Sequence, residues 1–262
     1  MTVIRQDDLI DSVADALQFI SYYHPVDFVH GVHEAWQREQ NPAARDAMAQ
    51  ILINSRMCAE GHRPICQDTG IVTVFMKVGM DVQWDASMSV TEMVNEGVRR
   101  AYTHPDNVLR ASILQDPAGA RKNTGDNTPA VIHMEIVEGA TVDVQVAAKG
   151  GGSENKSKMA MLNPADSIVD WVVKTVPTMG AGWCPPGMLG IGIGGTAEKA
   201  AVLAKEALMD PIDIHELRER GPASRVEELR LEIMEAVNKL GIGAQGLGGL
   251  TTVLDVKVKD FP

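Results

Sequence analysis

The sequence predicts a mixed α/β protein of the α+β kind. A helical layer over about residues 1–60 is expected to precede a mixed sheet flanked by helices over about residues 61–262. Three observations carry this reading: apolar residues recur at three- and four-residue steps through the first sixty positions, a β-branched run opens at Ile71, and short strand-like runs then alternate with amphipathic stretches. Leu9, Val13, Ala16, Leu17 and Ile20 mark the first helix. Residues 26–39 and 43–57 continue the period, and Asn41-Pro42 reads as a helix start because proline suits the first turn. The run 71–78 (IVTVFMKV) reads as a strand. Residues 90–102 read as a helix with Ser89 or Thr91 near its cap and Glu92, Glu96 and Arg99 on its outer face.

After an irregular stretch, 116–128, the segments 130–137 and 141–148 alternate, and the link Glu138-Gly139-Ala140 predicts a hairpin whose exit carries Lys149-Gly150-Gly151-Gly152. Residues 153–162 and 164–175 are expected helices, 188–193 a buried strand and 197–208 an alanine-rich helix. The polar segment 210–223 leads to a charged amphipathic helix, 226–240, that Gly241 ends, and 253–258 reads as a last strand. No internal repeat, low-complexity linker or domain break is visible, so residues 1–262 are read as a single domain.

At 262 residues the chain can bury a substantial core. Its formal charge is −11, with no basic tract and 4% aromatic residues, which argues against a nucleic-acid partner. The longest apolar runs, 71–76 and 188–193, fall far short of the roughly 20 residues that cross a bilayer. The N-terminus is acidic and amphipathic, unlike a secretion signal, and a soluble, cytoplasmic protein without a membrane partner is expected. Three cysteines in a long chain fit metal binding or catalysis better than a disulfide framework.

Two of those thiols sit among residues that break regular backbone. Cys66 stands in Arg63-Pro64-Ile65-Cys66-Gln67-Asp68-Thr69-Gly70, and Cys184 in Trp183-Cys184-Pro185-Pro186-Gly187, so both are expected on loops. A thiolate is both nucleophile and metal ligand, and ligands this distant in sequence can share a site only if the fold brings them together. Cys58 lies within a helical pattern and is read as core packing. Gly190-Ile191-Gly192-Ile193-Gly194-Gly195 fits a dinucleotide fingerprint, but no second strand ending in an acid follows at the required distance. Close strand-helix packing explains those glycines better. His62 lies near the first thiol, in what reads as a turn, and no ligand role is assigned to it.

The stretches Cys66-Gln67-Asp68-Thr69-Gly70, 149–158 (KGGGSENKSK), Cys184-Pro185-Pro186 with 190–196 (GIGIGGT), and 243–252 (GAQGLGGLTT) together resemble the class I, iron-sulfur-dependent fumarate hydratase family, with tartrate dehydratase as a sister that shares much of the pattern. The resemblance runs from about the first helix to the last residue. It implies a hydro-lyase that interconverts malate and fumarate in the tricarboxylic acid cycle. It also implies a 4Fe-4S cluster held by three cysteines, two of them Cys66 and Cys184, with one iron open to substrate. Asp68 becomes the candidate proton-transfer group. The substrate-binding positions carry over to Gln67, Asp68, Arg110, Gly150, Ser153, Asn155 and Lys156, with Arg110 offering a two-point fork to a small dicarboxylate and the glycine run offering backbone amides before a helix start.

The third cysteine of the family is expected beyond Pro262, either in a C-terminal portion or in a second subunit. The chain is read as the N-terminal portion of a longer single-chain enzyme or a shortened form of one, in preference to the natural two-subunit form, with homodimerisation expected from the family. A folded but catalytically incomplete module that supplies two ligands, or a zinc- or thiol-binding protein, is the competing reading.

Overall fold

The computed structural model describes residues 2–262. It is mixed α/β with helices flanking sheets, as the sequence predicts. Its contacts divide it into two compact units, Met1–Tyr23 with Ser55–Gly151, and His24–Asn54 with Gly152–Pro262. The three N-terminal helices are therefore shared between units: α1 (Gln6–Tyr22) belongs to the first, α2 (Val26–Arg38) to the second, and α3 (Pro42–Gly61) contributes residues 42–54 to the second and 55–61 to the first.

In the first unit a short strand, β1 (Thr2–Arg5), precedes α1 and pairs in parallel with β3 (Val82–Asp85). The central element is β2 (Ile71–Gly79), whose Val72, Val74, Met76 and Val78 are buried under α1 and α4 (Val90–Tyr102). Helix α4 starts where the cap was expected, with the Ser89 hydroxyl accepting the Glu92 N–H and the Glu92 carboxylate accepting the Ser89 N–H. A two-residue ladder, β4 (Leu114–Gln115) with β5 (Lys122–Asn123), interrupts the irregular stretch.

The expected hairpin is absent. Strands β6 (Val131–Val137) and β7 (Val142–Lys149) do form, but β2 lies between them, parallel to β6 and antiparallel to β7. The 138–141 link passes over the end of β2, where Gly79 N–H donates to Thr141 O, Met80 N–H to Val137 O and Asp81 N–H to Gly139 O, each at 2.9 Å. The physical reason is burial. As the most enclosed strand, β2 must pair both edges to satisfy its backbone, while β6 and β7 keep more exposed faces.

In the second unit β8 (Gly187–Gly194) and β9 (Val253–Phe261) pair in parallel, with α7 (Ala197–Ala207) against β8 and α9 (Arg225–Asn238) against β9. A side chain at Gly190 or Gly192 would place its Cβ 2.1 Å from Ala204 O or 2.0 Å from Ala200 O, so these glycines let α7 lie directly on the strand. The helix expected over 153–162 shrinks to one turn, α5 (Gly151–Glu154). The residues beyond it have no buried face, with Met159 and Met161 59% and 84% exposed. The helix expected from 164 begins later, as α6 (Ile168–Thr175) with Ser167 as its cap. The polar connector 210–223 contains an unforeseen helix, α8 (Ile214–Arg220), fixed by the buried Ile214 and Leu217. No helix among the described residues is long and apolar enough to cross a membrane.

Four charges meet at β9, which itself carries Asp255 and Lys257. Asp255, fully buried, meets Arg230 and Lys257 at 3.1 Å each, and both cations also reach Asp213. Asp255 accepts the N–H groups of Val256 and Asp213 as well. Asp255→Asn removes the buried anion that faces two buried cations and turns an amide N–H₂ toward a donor. It is expected to cost about 3–5 kcal/mol, read as a lowered urea midpoint. For Asp213, burial pushes its carboxyl up but the hydrogen bonds from Arg230 and Lys257 outweigh this and hold it below the usual value. Its contribution is therefore present above the ordinary carboxylate pKa of about 3.9 and is lost as pH falls through the lower folded value.

Candidate functional site

In the first unit α3 ends at Gly61, and His62 turns the chain at φ +46 while stacking on Tyr22 and reaching the Tyr23 hydroxyl at 3.2 Å. Ile65 N–H donates to Ser21 O at 2.8 Å, so the approach to Cys66 is held against the end of α1. His62 thus anchors the loop. Cys66 is exposed, its sulfur accepts the Asp68 N–H at 3.4 Å, and it lies 3.3 Å from the Gln67 Oε1. The Asp68 Oδ1 closes the turn by accepting Gly70 N–H at 3.2 Å. Gly70 then enters β2 at φ +88, where a Cβ would stand 2.5 Å from the Ala148 carbonyl carbon.

This loop is tied to the Arg110 segment and to the exit of β7. The Thr69 hydroxyl donates to Arg110 O at 2.8 Å. Asn127, fully buried, donates to Gly70 O at 3.0 Å and accepts Ser112 N–H at 2.7 Å, which links the two segments through one side chain. The buried Tyr102 hydroxyl lies 2.6 Å from Thr69 O and 3.1 Å from Gly70 O. Burial pushes its phenol far up, the bond to Thr69 opposes this and the charge of Asp68 adds to it, so Tyr102 remains a protonated donor. At the end of β7, Gly150 faces the same carboxylate: a Cβ there would lie 3.1 Å from Asp68 Oδ2. Cys66, Gln67, Asp68 and Gly150 are thereby gathered at one place, with Arg110, whose side chain is exposed, on the adjoining strand of chain.

In the second unit Cys184 is exposed on its loop at φ +59, with its N–H donating to Ala181 O at 2.9 Å. The next carbonyl, Pro185 O, accepts both the backbone N–H of Gln245 at 2.6 Å and its side-chain amide at 2.9 Å, so the GAQGLGG segment braces the thiol loop. Two glycines bring the Ser153–Lys156 region close: a Cβ on Gly182 would meet Lys156 Cε at 3.0 Å, and one on Gly152 would meet Gly182 O at 2.8 Å. Glu154 is paired with Lys205 at 2.7 Å, and Asn155 is exposed. Because α5 is a single turn, the helix start expected to attract an anion here is reduced to local backbone amides.

The predicted site residues thus fall into two groups, Cys66, Gln67, Asp68, Arg110 and Gly150 in one unit and Ser153, Asn155, Lys156 and Cys184 in the other. Cys58 is buried with its sulfur 3.6 Å from Pro64 O, in keeping with core packing. No cluster of three or more His, Cys, Asp or Glu side chains placed to hold a metal ion occurs among the described residues. The two exposed thiols, unpaired with each other and one of them receiving an amide N–H, are nevertheless the donor type an iron-sulfur group takes. Sequence reasoning missed Tyr102 and Asn127. Tyr102 closed the helix read over 90–102, and Asn127 lay in the irregular stretch 116–128.

The sequence profile of the family described as fumarate hydratase (Fumerase) matches residues 10–262. A protein of Methanocaldococcus jannaschii provisionally named L(+)-tartrate dehydratase subunit alpha is 35% identical over 256 residues, which cover 95% of this chain and 87% of that protein. The L(+)-tartrate dehydratase subunits alpha of Escherichia coli K12 and Shigella sonnei are each 28% identical over 254 residues, 96% of this chain and 82% of theirs.

Proposed function

Since the chain belongs to the fumarate hydratase (Fumerase) family, we propose that it is the alpha-type portion of an iron-sulfur hydro-lyase that removes water from a four-carbon 2-hydroxydicarboxylate. The observation that carries this reading is the turn at Cys66, where a solvent-facing thiol and the Asp68 carboxylate share one hydrogen-bonded loop with Gly150 beside it. Malate and fumarate are the pair the motifs imply. The names of the relatives favour tartrate as the second reading, and the same elimination on tartrate yields an enol that rearranges to a keto acid.

Cys66 and Cys184 are the residues that would hold a 4Fe-4S cluster, with a third thiolate from outside this chain. When bound, such a cluster with one open iron supplies a Lewis acid for the departing hydroxide. The chain's own groups do the rest. Arg110 in the first unit and Ser153, Asn155 and Lys156 in the second are the candidate groups for the substrate carboxylates. Gly150 leaves space against Asp68, whose carboxylate moves the proton at the carbon next to the hydroxyl-bearing one. The C–H electron pair becomes the alkene bond as the C–O bond breaks. The alpha-subunit names of the relatives favour a second subunit as the source of the missing thiolate over the longer single chain expected from the sequence. The assembly would work in the cytoplasm, where thiols stay reduced, as a dimer of such units.

The test is anaerobic reconstitution of the chain, with its second subunit, using iron and sulfide. Charge-transfer absorbance together with formation of fumarate from malate, or of oxaloacetate from tartrate, is the expected result. A stable cluster without turnover of either acid would overturn the substrate class, and no cluster in the complete assembly would overturn the cofactor.

A further inference from the structure

Within the second unit a separate cavity of about 190 Å³ opens between the end of α2, the α8 helix and the segment that leads into β9. Arg38, His215, Arg218, Asn238, Thr251 and Leu254 are among the residues that line it. Its charge is unusual for a chain of net −11: Arg38 and Arg218 both line the space, and neither side chain has an ion-pair or hydrogen-bond partner among the described residues. The neighbouring acids are already engaged. Glu34 is bound to His215 at 3.1 Å, and Glu235, which feels the charge of Arg218, is paired with Lys239 at 2.6 Å. Glu39 accepts the N–H groups of Gln40, Asn41 and Leu250.

The walls are ordered for binding. The Asn238 Oδ1 accepts Thr252 N–H and Val253 N–H at 2.7 and 2.9 Å, and its amide donates to Val253 O, which fixes the backbone that presents Thr251. Thr251, 7% exposed, lines the same space and carries a hydroxyl. The volume lies below the roughly 300–1,000 Å³ of pockets for drug-sized ligands, so the occupant must be small. Arginine forks suit planar or tetrahedral oxyanions. We propose that this cavity, lined by no residue of either thiol loop, is a second anion site in which Arg38 and Arg218 clasp a small oxyanion of the carboxylate or phosphate type and Thr251 donates to it.

Calorimetric titration of the full chain with inorganic phosphate, and separately with succinate, tests this. One saturable site is expected for at least one of the two. The tighter probe identifies phosphate or dicarboxylate chemistry. Arg38→Gln and Arg218→Gln, both at exposed side chains, should each weaken that binding at least tenfold, whereas Arg110→Gln should leave it unchanged. Failure of both probes to saturate, or binding lost in Arg110→Gln and kept in the other two variants, would overturn the assignment. Succinate bound through Arg110 would belong to the substrate site, whereas phosphate binding weakened by Arg38→Gln and Arg218→Gln is independent of the hydro-lyase reading, which is tested by turnover.

Discussion

Cys66→Ser is expected to abolish cluster retention and turnover together, while Cys58→Ser leaves both within twofold of the parent. The contrast follows from where the two sulfurs stand. Cys66 is exposed on a loop, and its sulfur receives the Asp68 N–H at 3.4 Å. Cys58 is 6% exposed within α3, with its sulfur against Pro64 O, and is spatially committed to packing. Serine at 66 is close in size and keeps an acceptor for Asp68 N–H, so the turn survives and the loss can be assigned to the sulfur. Cys184→Ser should behave like Cys66→Ser, because Ala181, Pro185 and Gln245 fix its loop through backbone bonds that do not use the sulfur. The check is iron content and visible absorbance after anaerobic reconstitution, with circular dichroism to confirm the fold. Cluster retained in Cys66→Ser, or lost in Cys58→Ser, would reverse the ligand assignment.

The loop position of both thiols was legible because proline and glycine act locally: the residues that break helix and strand sit within four positions of each sulfur. The same locality explains β2, α4 and α9, whose periods and caps are written in contiguous residues. Strand partnership was not legible. The alternation of 130–137 and 141–148 states that each segment is a strand, but what separates them is β2, contributed from sixty positions earlier, and only burial of that strand decides the order. The 153–162 stretch has helix-forming residues but no docked face, and propensity without burial gave only one turn. Within the site, Cys66, Asp68 and Gly150 were readable as motif residues. Tyr102 and Asn127 were not, since their role is to satisfy backbone carbonyls of Thr69 and Gly70, a task set by tertiary structure.

Asp68→Asn is expected to lower kcat by about a hundredfold or more while cluster content and thermal stability stay close to the parent. The substitution is selective by geometry. Asp68 Oδ1 accepts Gly70 N–H, and an asparagine oxygen can make the same bond, so the turn into β2 is kept. The second oxygen, Oδ2, faces Gly150, where a Cβ would crowd it at 3.1 Å, and there the amide nitrogen replaces it without a change in size. What disappears is the carboxylate's capacity to take and return a proton, whose loss removes a contribution of about 10²–10⁴ in rate. A rise confined to KM would instead mark Asp68 as a binding group. A parallel loss of cluster would mark it as a support for Cys66, through the Asp68 N–H that its sulfur accepts. Restoration of the carboxylate one methylene further out, in Asp68→Glu, should recover little. The longer side chain must enter the gap beside Gly150 and give up the Gly70 bond, which separates a requirement for charge from a requirement for a correctly placed proton acceptor.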